Sequence, residues 1–280
     1  LRVPGNKLKM VNGSYVLQFT TELWETPYLD KIGLKVIDHP NKMDVYIDEA
    51  FTPPPFPSSK IYGVKEKYIP TKAMDSQGND LIKKLKKRDN IYVSNLYHDL
   101  YQGVTEFHDL VLEFENINSD DSLFLFLQGW LFPTDASINV NLSHSENLRS
   151  IFPYLQIPNE NGTWETIIDN LGFPKGKNKT MIVDLTNRFN NHDYRIRLRT
   201  NMQIYWDHIF MANSQPHDEI RVFELEPTYA DLHYRGFSVT SQKDNSSPHI
   251  PDYYNIEKGQ KWRDLTGTYT RYGDILELLL

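Results

Sequence analysis

This sequence predicts an all-β protein, an antiparallel β-sandwich of jelly-roll-like kind with a few short helices, and three observations carry that expectation. Short runs with a period of two dominate its 280 residues. Clusters of Gly, Pro, Asn and Asp separate them, and Leu123-Phe-Leu-Phe-Leu127 is apolar at every position, as a strand covered on both faces requires. Hydrophobic residues make up 39% and charged residues 24%, the balance of a globular chain with a real core. The length suits one large β-rich domain or two smaller ones.

From the amino terminus, Tyr15, Leu17 and Phe19 alternate with Val16, Gln18 and Thr20, the pattern of a half-buried strand. Met43, Val45 and Ile47 alternate with Asp44, Tyr46 and Asp48 in the same way. Four prolines within residues 52–57 remove backbone donors and fix φ, which sets a boundary after an amino-terminal β-rich segment, 1–57. A central β-sandwich, 58–226, and a carboxy-terminal β extension, 227–280, complete the expected organisation. Residues 79–88 carry the one helical pattern, with Leu81, Ile82 and Leu85 on one side. Five basic residues in the six positions from Lys83 to Arg88 read as a solvated helix face rather than a specific anion site.

In the centre, His108, Leu110, Leu112 and Phe114 share one strand face, and Leu123 to Leu127 form the strand buried on both sides. Ala136, Ile138, Val140 and Leu142 alternate with Ser137, Asn139, Asn141 and Ser143, predicting a half-exposed strand with a small polar face. Asn159-Glu-Asn-Gly162 predicts a hairpin turn, because Asn and Gly adopt positive φ at little cost. Residues 180–185 predict another strand, after which Asp184 or Thr186 caps a brief helical turn.

The most ordered pattern lies further on. Tyr194, Ile196, Leu198, Met202, Ile204, Trp206 and Phe210 all fall on even positions, and the odd positions hold Arg195, Arg197, Arg199, Asn201, Gln203, Tyr205 and Asp207. The run exceeds an ordinary strand, so a turn or bulge near Thr200-Asn201 is expected to divide it. The polar residues then form one candidate ligand or partner face if the register survives the bend. Three arginines on one face repel unless anions or carboxylates stand opposite, and pairing with Asp and Glu on neighbouring strands is the simpler expectation.

Other constellations are excluded or set aside. Thirty basic against 37 acidic residues give a net charge of −7 with no basic field, which argues against a nucleic-acid partner. No apolar run is long enough for a membrane-spanning helix, and with no cysteine there is no disulfide, thiolate metal site or cysteine nucleophile. Six histidines adjoin an aspartate, at 38–39, 98–99, 108–109, 192–193, 207–208 and 217–218, but neighbours on a strand point to opposite faces and do not converge on one ligand. A catalytic site assembled from distant residues is left open. There is no His-Glu-x-x-His arrangement and no Gly-x-Ser-x-Gly elbow. Gly172-Phe-Pro-Lys-Gly-Lys-Asn-Lys-Thr180 misses the phosphate-loop spacing and reads as a turn carrying Lys175, Lys177 and Lys179. Residues 75–80 and 116–121 concentrate oxygen donors that would suit calcium, yet neither fits an EF-hand loop, and metal-free Asx turns are the expectation.

Several phrases together resemble a known class: Thr21-Glu-Leu-Trp-Glu-Thr-Pro-Tyr28, Asp38-His-Pro40, Gly129-Trp-Leu-Phe-Pro-Thr-Asp-Ala-Ser137, Arg199-Thr-Asn-Met-Gln-Ile-Tyr-Trp-Asp207, Asp231-Leu-His-Tyr-Arg-Gly-Phe-Ser238 and Thr268-Tyr-Thr-Arg-Tyr-Gly-Asp274. They look like the carboxy-terminal region of large exported bacterial proteins with FG-GAP-type propeller repeats and ASPIC/UnbV-type segments. The resemblance runs from about Thr20 to the end and supplies no catalytic residues. It implies export, periplasmic or surface residence, attachment to further domains, and a role in adhesion, assembly or ligand binding. A start at Leu1 without Met and an end at Leu278-Leu-Leu280 fit the expectation of an excised piece. The functional expectation is therefore a non-catalytic structural or interaction module with a protein or glycan partner. The alternative is a carbohydrate-binding or carbohydrate-processing domain, in which Trp24, Trp164 and Trp262 beside carboxylates stack on sugars.

Overall fold

The computed structural model describes residues 3, 5, 8–20, 28–94, 96–118, 122–189, 192–214, 219–259 and 272–279. It is an all-β chain with antiparallel sheets and a few short helices, as the sequence predicts. Two compact units form, the larger on Asn41–His217 with Ser246–Pro248, the smaller on Val3–Pro40, Asp218–Asn245 and His249–Leu280.

The larger unit is a sandwich with an added third layer. Its five-stranded sheet runs in the order Trp164–Ile168, Tyr154–Pro158, Arg195–Met202, Val104–Glu113, Lys72–Asp75. Its three-stranded sheet places Leu123–Leu131 between Lys179–Asp184 and Ile204–Asn213. Leu110, Leu112, Leu155, Ile196 and Leu198 of the first sheet share one core with Leu123, Leu125, Leu127, Met181 and Val183 of the second. The opposite face of the second sheet presents Phe124, Phe126 and Phe210, which pack on Tyr46, Val64 and Tyr62 of a further pair of strands, Asp44–Ile47 and Ile61–Val64. The unbroken apolar run is thus explained residue by residue: leucines serve one layer and phenylalanines the other. Burying each such side chain contributes about 1.5 to 3 kcal/mol. Tyr46 is buried because it serves the outer layer, so the expected alternation through residues 43–48 gives way there.

Both lateral edges of the three-stranded sheet are occupied. Along Lys179–Asp184, Thr180 N donates to Glu49 Oε2 at 3.3 Å and Ile182 N to Asp48 Oδ1 at 3.2 Å, while Glu49 N donates to Thr180 O at 2.7 Å. Along Ile204–Asn213, Tyr68 and Met211 exchange backbone hydrogen bonds of 2.8 and 2.9 Å, and Val93 N donates to Trp206 O at 2.8 Å.

The expected hairpin is present: Tyr154–Pro158 pairs with Trp164–Ile168, and Asn159 Oδ1 accepts from the backbone of Asn161 and Thr163 across the turn. Residues 136–143 correct the sequence reading. They belong to a helix, Ala136–His144, whose amino end is capped by Asp135 Oδ1 accepting from Ile138 N at 2.8 Å. Ile138 and Leu142 are four apart as well as even-numbered, so their spacing satisfies both periods, and the cap decides. The helix expected over 79–88 is confined to Ile82–Leu85; Leu85 is fully buried, and beyond it the chain turns, with Asn90 at positive φ.

In the smaller unit, Leu34–Asp38 pairs with Arg221–Leu225, Phe237–Ser241 with Ile250–Glu257, and Asp231–Leu232 with Gly273–Asp274. Met10–Val11 pairs with Ser14–Tyr15 across Asn12-Gly13, both at positive φ. The strand expected over 15–20 therefore shrinks to its first residue, and Val16 and Phe19 are exposed.

Candidate functional site

The three arginines of the expected ladder stand together on the outer face of the five-stranded sheet. Arg195, Arg197 and Arg199 lie opposite Glu113, Val111 and Asp109 on one side, and Gln156 and Tyr154 lie opposite Arg197 and Arg199 on the other. Arg199 Nε donates to Asp109 Oδ1 at 2.6 Å and Arg197 Nη1 is 3.8 Å from Asp109 Oδ2, so one carboxylate serves two guanidiniums. Arg197 Nε also donates to Gln156 Oε1 at 2.7 Å, and Arg195 forks onto Asp193. The Arg197 guanidinium lies 4.7 Å from the centre of the Trp164 ring and that of Arg199 lies 4.6 Å from Phe107, while Phe107 stacks on Tyr154. Burial, then the neighbouring Arg199, pull the Arg197 pKa below the ordinary arginine value; the hydrogen bond to Asp193 raises that of Arg195.

Asp109 is the common anchor of this face. Asp109→Asn is expected to lower folding stability by roughly 2 to 3 kcal/mol in a urea melt, less than the 3 to 5 of a fully buried pair because these side chains keep some water. An unchanged midpoint would mean that the ladder is held by stacking alone.

The other members of the predicted face lie elsewhere, so the seven residues do not share one surface. Asn201, buried, accepts from Ile151 N at 2.7 Å and donates to Arg149 O at 2.8 Å. Gln203 accepts from Gly103 N at 3.3 Å and donates to the Tyr205 hydroxyl, both side chains being buried. The expected bulge falls between Thr200 and Met202. A second one, between Trp206 and His208, is not expected from the sequence.

That second bulge changes which way every later residue points. Ile204 and Trp206 serve the main core; beyond the bulge Ile209 and Met211 do, and Phe210 turns to the outer layer, off the face predicted for it. Asp207 is the extra residue, so Asp207 and His208 both stand on the side of Gln128 and Phe126, and the rule that neighbours diverge fails here. Gly129 makes the bend feasible: a Cβ there would meet Trp206 Cε3 at 2.6 Å.

The polar end of this face is a second candidate site. A hollow of about 390 Å³ is lined by Asp44, Tyr46, Lys67, Ile69, Lys86, Lys87, Arg88, Gln128 and His208. His208 is 6% exposed; its Nδ1–H donates to Gln128 Oε1 at 3.1 Å, Gln128 Nε2 donates to Thr180 Oγ1 at 3.0 Å, and the ring lies against Phe210. Among the described residues His208 Nε2 has no hydrogen-bond partner, nor do Asp89 Oδ2 and Asp207 Oδ2. Burial, then the positive charges of Lys67 and Arg88, push the His208 pKa down to about 4, so its imidazole is neutral. Asp207, 1% exposed, accepts from Asp89 N at 3.2 Å, and burial outweighs such backbone bonds to lift its carboxyl to about 6. Lys67 pairs with Asp44; burial opposes its charge, but hydrogen bonds to Asp44 and Tyr46 hold its pKa above the usual value. Lys87 Nζ lies 3.2 Å from Asp89 Oδ2, an ion pair without hydrogen-bond geometry.

Among the sequence candidates for metal, Asp75 Oδ1 accepts from Gln77 N and Asn79 N, an Asx turn that satisfies the carboxylate from within the loop. Residues 119–121 of the other loop lie outside the described residues, as do Trp24 and Trp262. Lys179 pairs with Glu49, and Lys177 lies over Trp130. Among the described residues no helix is long and apolar enough to cross a membrane, and no group of three His, Cys, Asp or Glu side chains is arranged to hold a metal. No family model, curated protein or solved structure matches the chain.

Proposed function

We propose that the chain is a non-catalytic interaction module, on the strength of its phrases one belonging to an exported bacterial protein. The observation that carries the reading is the outer face of the five-stranded sheet, where Arg197 and Arg199 are immobilised by Asp109, Gln156, Trp164 and Phe107. Side chains already held by ion pairs and rings lose little further entropy when a partner docks, which favours binding. Arginine and aromatic residues are also the types that anchor interfaces.

A carbohydrate ligand is the second reading, favoured by Phe107, which is 42% exposed, and Tyr154 and Trp164, which are half-buried among hydrogen-bonding groups. A glycan array with wild type and Trp164→Ala, run beside chromogenic glycosides, separates the two. A silent array and no turnover are expected of a protein-binding module. Glycan signal lost in Trp164→Ala would replace that reading by the second, and turnover of any glycoside would refute a non-catalytic role.

A further inference from the structure

We infer that the hollow beside His208 binds the phosphate group of a phosphate monoester. Four cations, Lys67, Lys86, Lys87 and Arg88, line it against one carboxylate, Asp44, in a chain whose net charge is −7. Asp44 is already paired with Lys67, and Asp89, beside the hollow, with Lys87. Lys86 and Arg88, both exposed, have no ion pair among the described residues, and Arg88 feels the buried Asp207 carboxylate only at longer range, so both keep their donors free at the rim. The clustering has a structural cause. Lys86 forms a β-bridge with His208, and Asp89 N donates to Asp207, which ties residues 86–89 along the bulged strand rather than leaving them on a solvated helix.

The hydrogen-bonding inventory then narrows the anion. With Nδ1–H committed to Gln128, the neutral His208, which lines the hollow, keeps a lone pair at Nε2, a buried acceptor that no described residue satisfies. A buried acceptor left unpaired costs free energy, so the complementary ligand brings a donor. A phosphate monoester near neutral pH meets both demands: its oxygens take the lysines and the guanidinium, and its second ionisation near 6 leaves a share of molecules with a P–OH to donate. A sulfate ester and a phosphodiester offer the negative charge without that hydrogen. Sites built to hydrogen-bond one group reject analogues that lack it.

Room exists for the rest of the ester. A second hollow of about 290 Å³, lined by Asn41, Lys42, Met43, Asp44, Val64, Lys65 and Lys67, adjoins the first through Asp44 and Lys67. The site lies on a different sheet from the arginine face, and the inference does not depend on what that face binds.

The test is isothermal titration calorimetry on the whole chain at pH 7 and constant ionic strength. Inorganic phosphate and glucose 6-phosphate are compared with sulfate and with a short single-stranded oligonucleotide lacking terminal phosphates. The two phosphates are expected to bind at least tenfold more tightly than sulfate or the diester, with glucose 6-phosphate the tighter if the second hollow holds the sugar. Arg88→Met, a change at an exposed side chain, is expected to weaken both phosphates at least tenfold while leaving the urea midpoint unchanged. His208→Phe, which has no acceptor, is expected to abolish the preference for phosphate over sulfate. Equal binding of phosphate, sulfate and diester, or phosphate binding that survives Arg88→Met, would overturn the proposal even if His208→Phe fails to fold.

Discussion

Phe126→Ala is expected to cost roughly 3 to 5 kcal/mol of folding stability, the range for truncating a fully buried phenylalanine. The ring is fully buried and stacks on Phe210 with centroids 4.7 Å apart, while Tyr46 lies 5.1 Å and Tyr62 6.3 Å away. Truncation removes more than apolar area. It leaves a gap between two layers whose backbones are both hydrogen-bonded in place, so neither can collapse into the space, and it deletes aromatic contacts worth about 0.5 to 1.5 kcal/mol each beyond burial. Urea denaturation decides the matter, and a loss below about 1 kcal/mol would place Phe126 at a yielding surface rather than between two layers.

The second large effect is concealed in the wild-type protein. Asp207 titrates at about 6 in the folded chain against an ordinary value of 3.8, so between those values the native state holds a proton that the unfolded state releases. Its contribution makes stability fall as pH rises through that window. His208 titrates at about 4 against 6.5, so the unfolded state takes the proton first and stability rises with pH between about 4 and 6.5. Each shift spans about two units and corresponds to roughly 3 kcal/mol, and the slopes oppose each other in nearly the same interval. Asp207→Asn, measured in phosphate-free buffer and expressed relative to wild type, is expected to gain stability steadily from pH 4 to 6. His208→Gln is expected to lose it over pH 4 to 6.5. Differences that stay flat with pH in both variants would refute burial as the cause of the shifts.

Much of this molecule is legible in its sequence, and the failures share a cause. The two-sided strand at Leu123 to Leu127, the hairpin at Asn159 and the division of the 194–210 run follow from local patterns, and the structure contains all three. The helix at Ala136–His144 escapes because Asn and Ser at every second position imitate a strand; Asp135, an N-cap residue type standing just before the run, is the signal the sequence offers. The hollow at His208 escapes for a subtler reason. Parity arguments hold only while the register holds, and one added residue at Asp207 turns a His-Asp neighbour pair that ought to diverge into two groups on one side. Nothing local marks that position, because the bulge answers to Gly129 and Gln128 on the adjacent strand. The basic run from Lys83 to Arg88 was visible, but its meaning depends on where the helix stops and what its continuation lies against.

The closure of the three-stranded sheet limits how another chain could pair with it. Many β proteins recruit partners by lending an open edge, so that an incoming segment becomes one more strand. Here one flank is filled by the 68 and 86–93 segments, and the other is capped by the carboxylates of Asp48 and Glu49, which accept from the amides a newcomer would have sought. Backbone templating is thereby denied to this sheet, which also guards against uncontrolled stacking of copies. Any contact made through this sheet would have to be written in side chains, and so would be open to change one residue at a time.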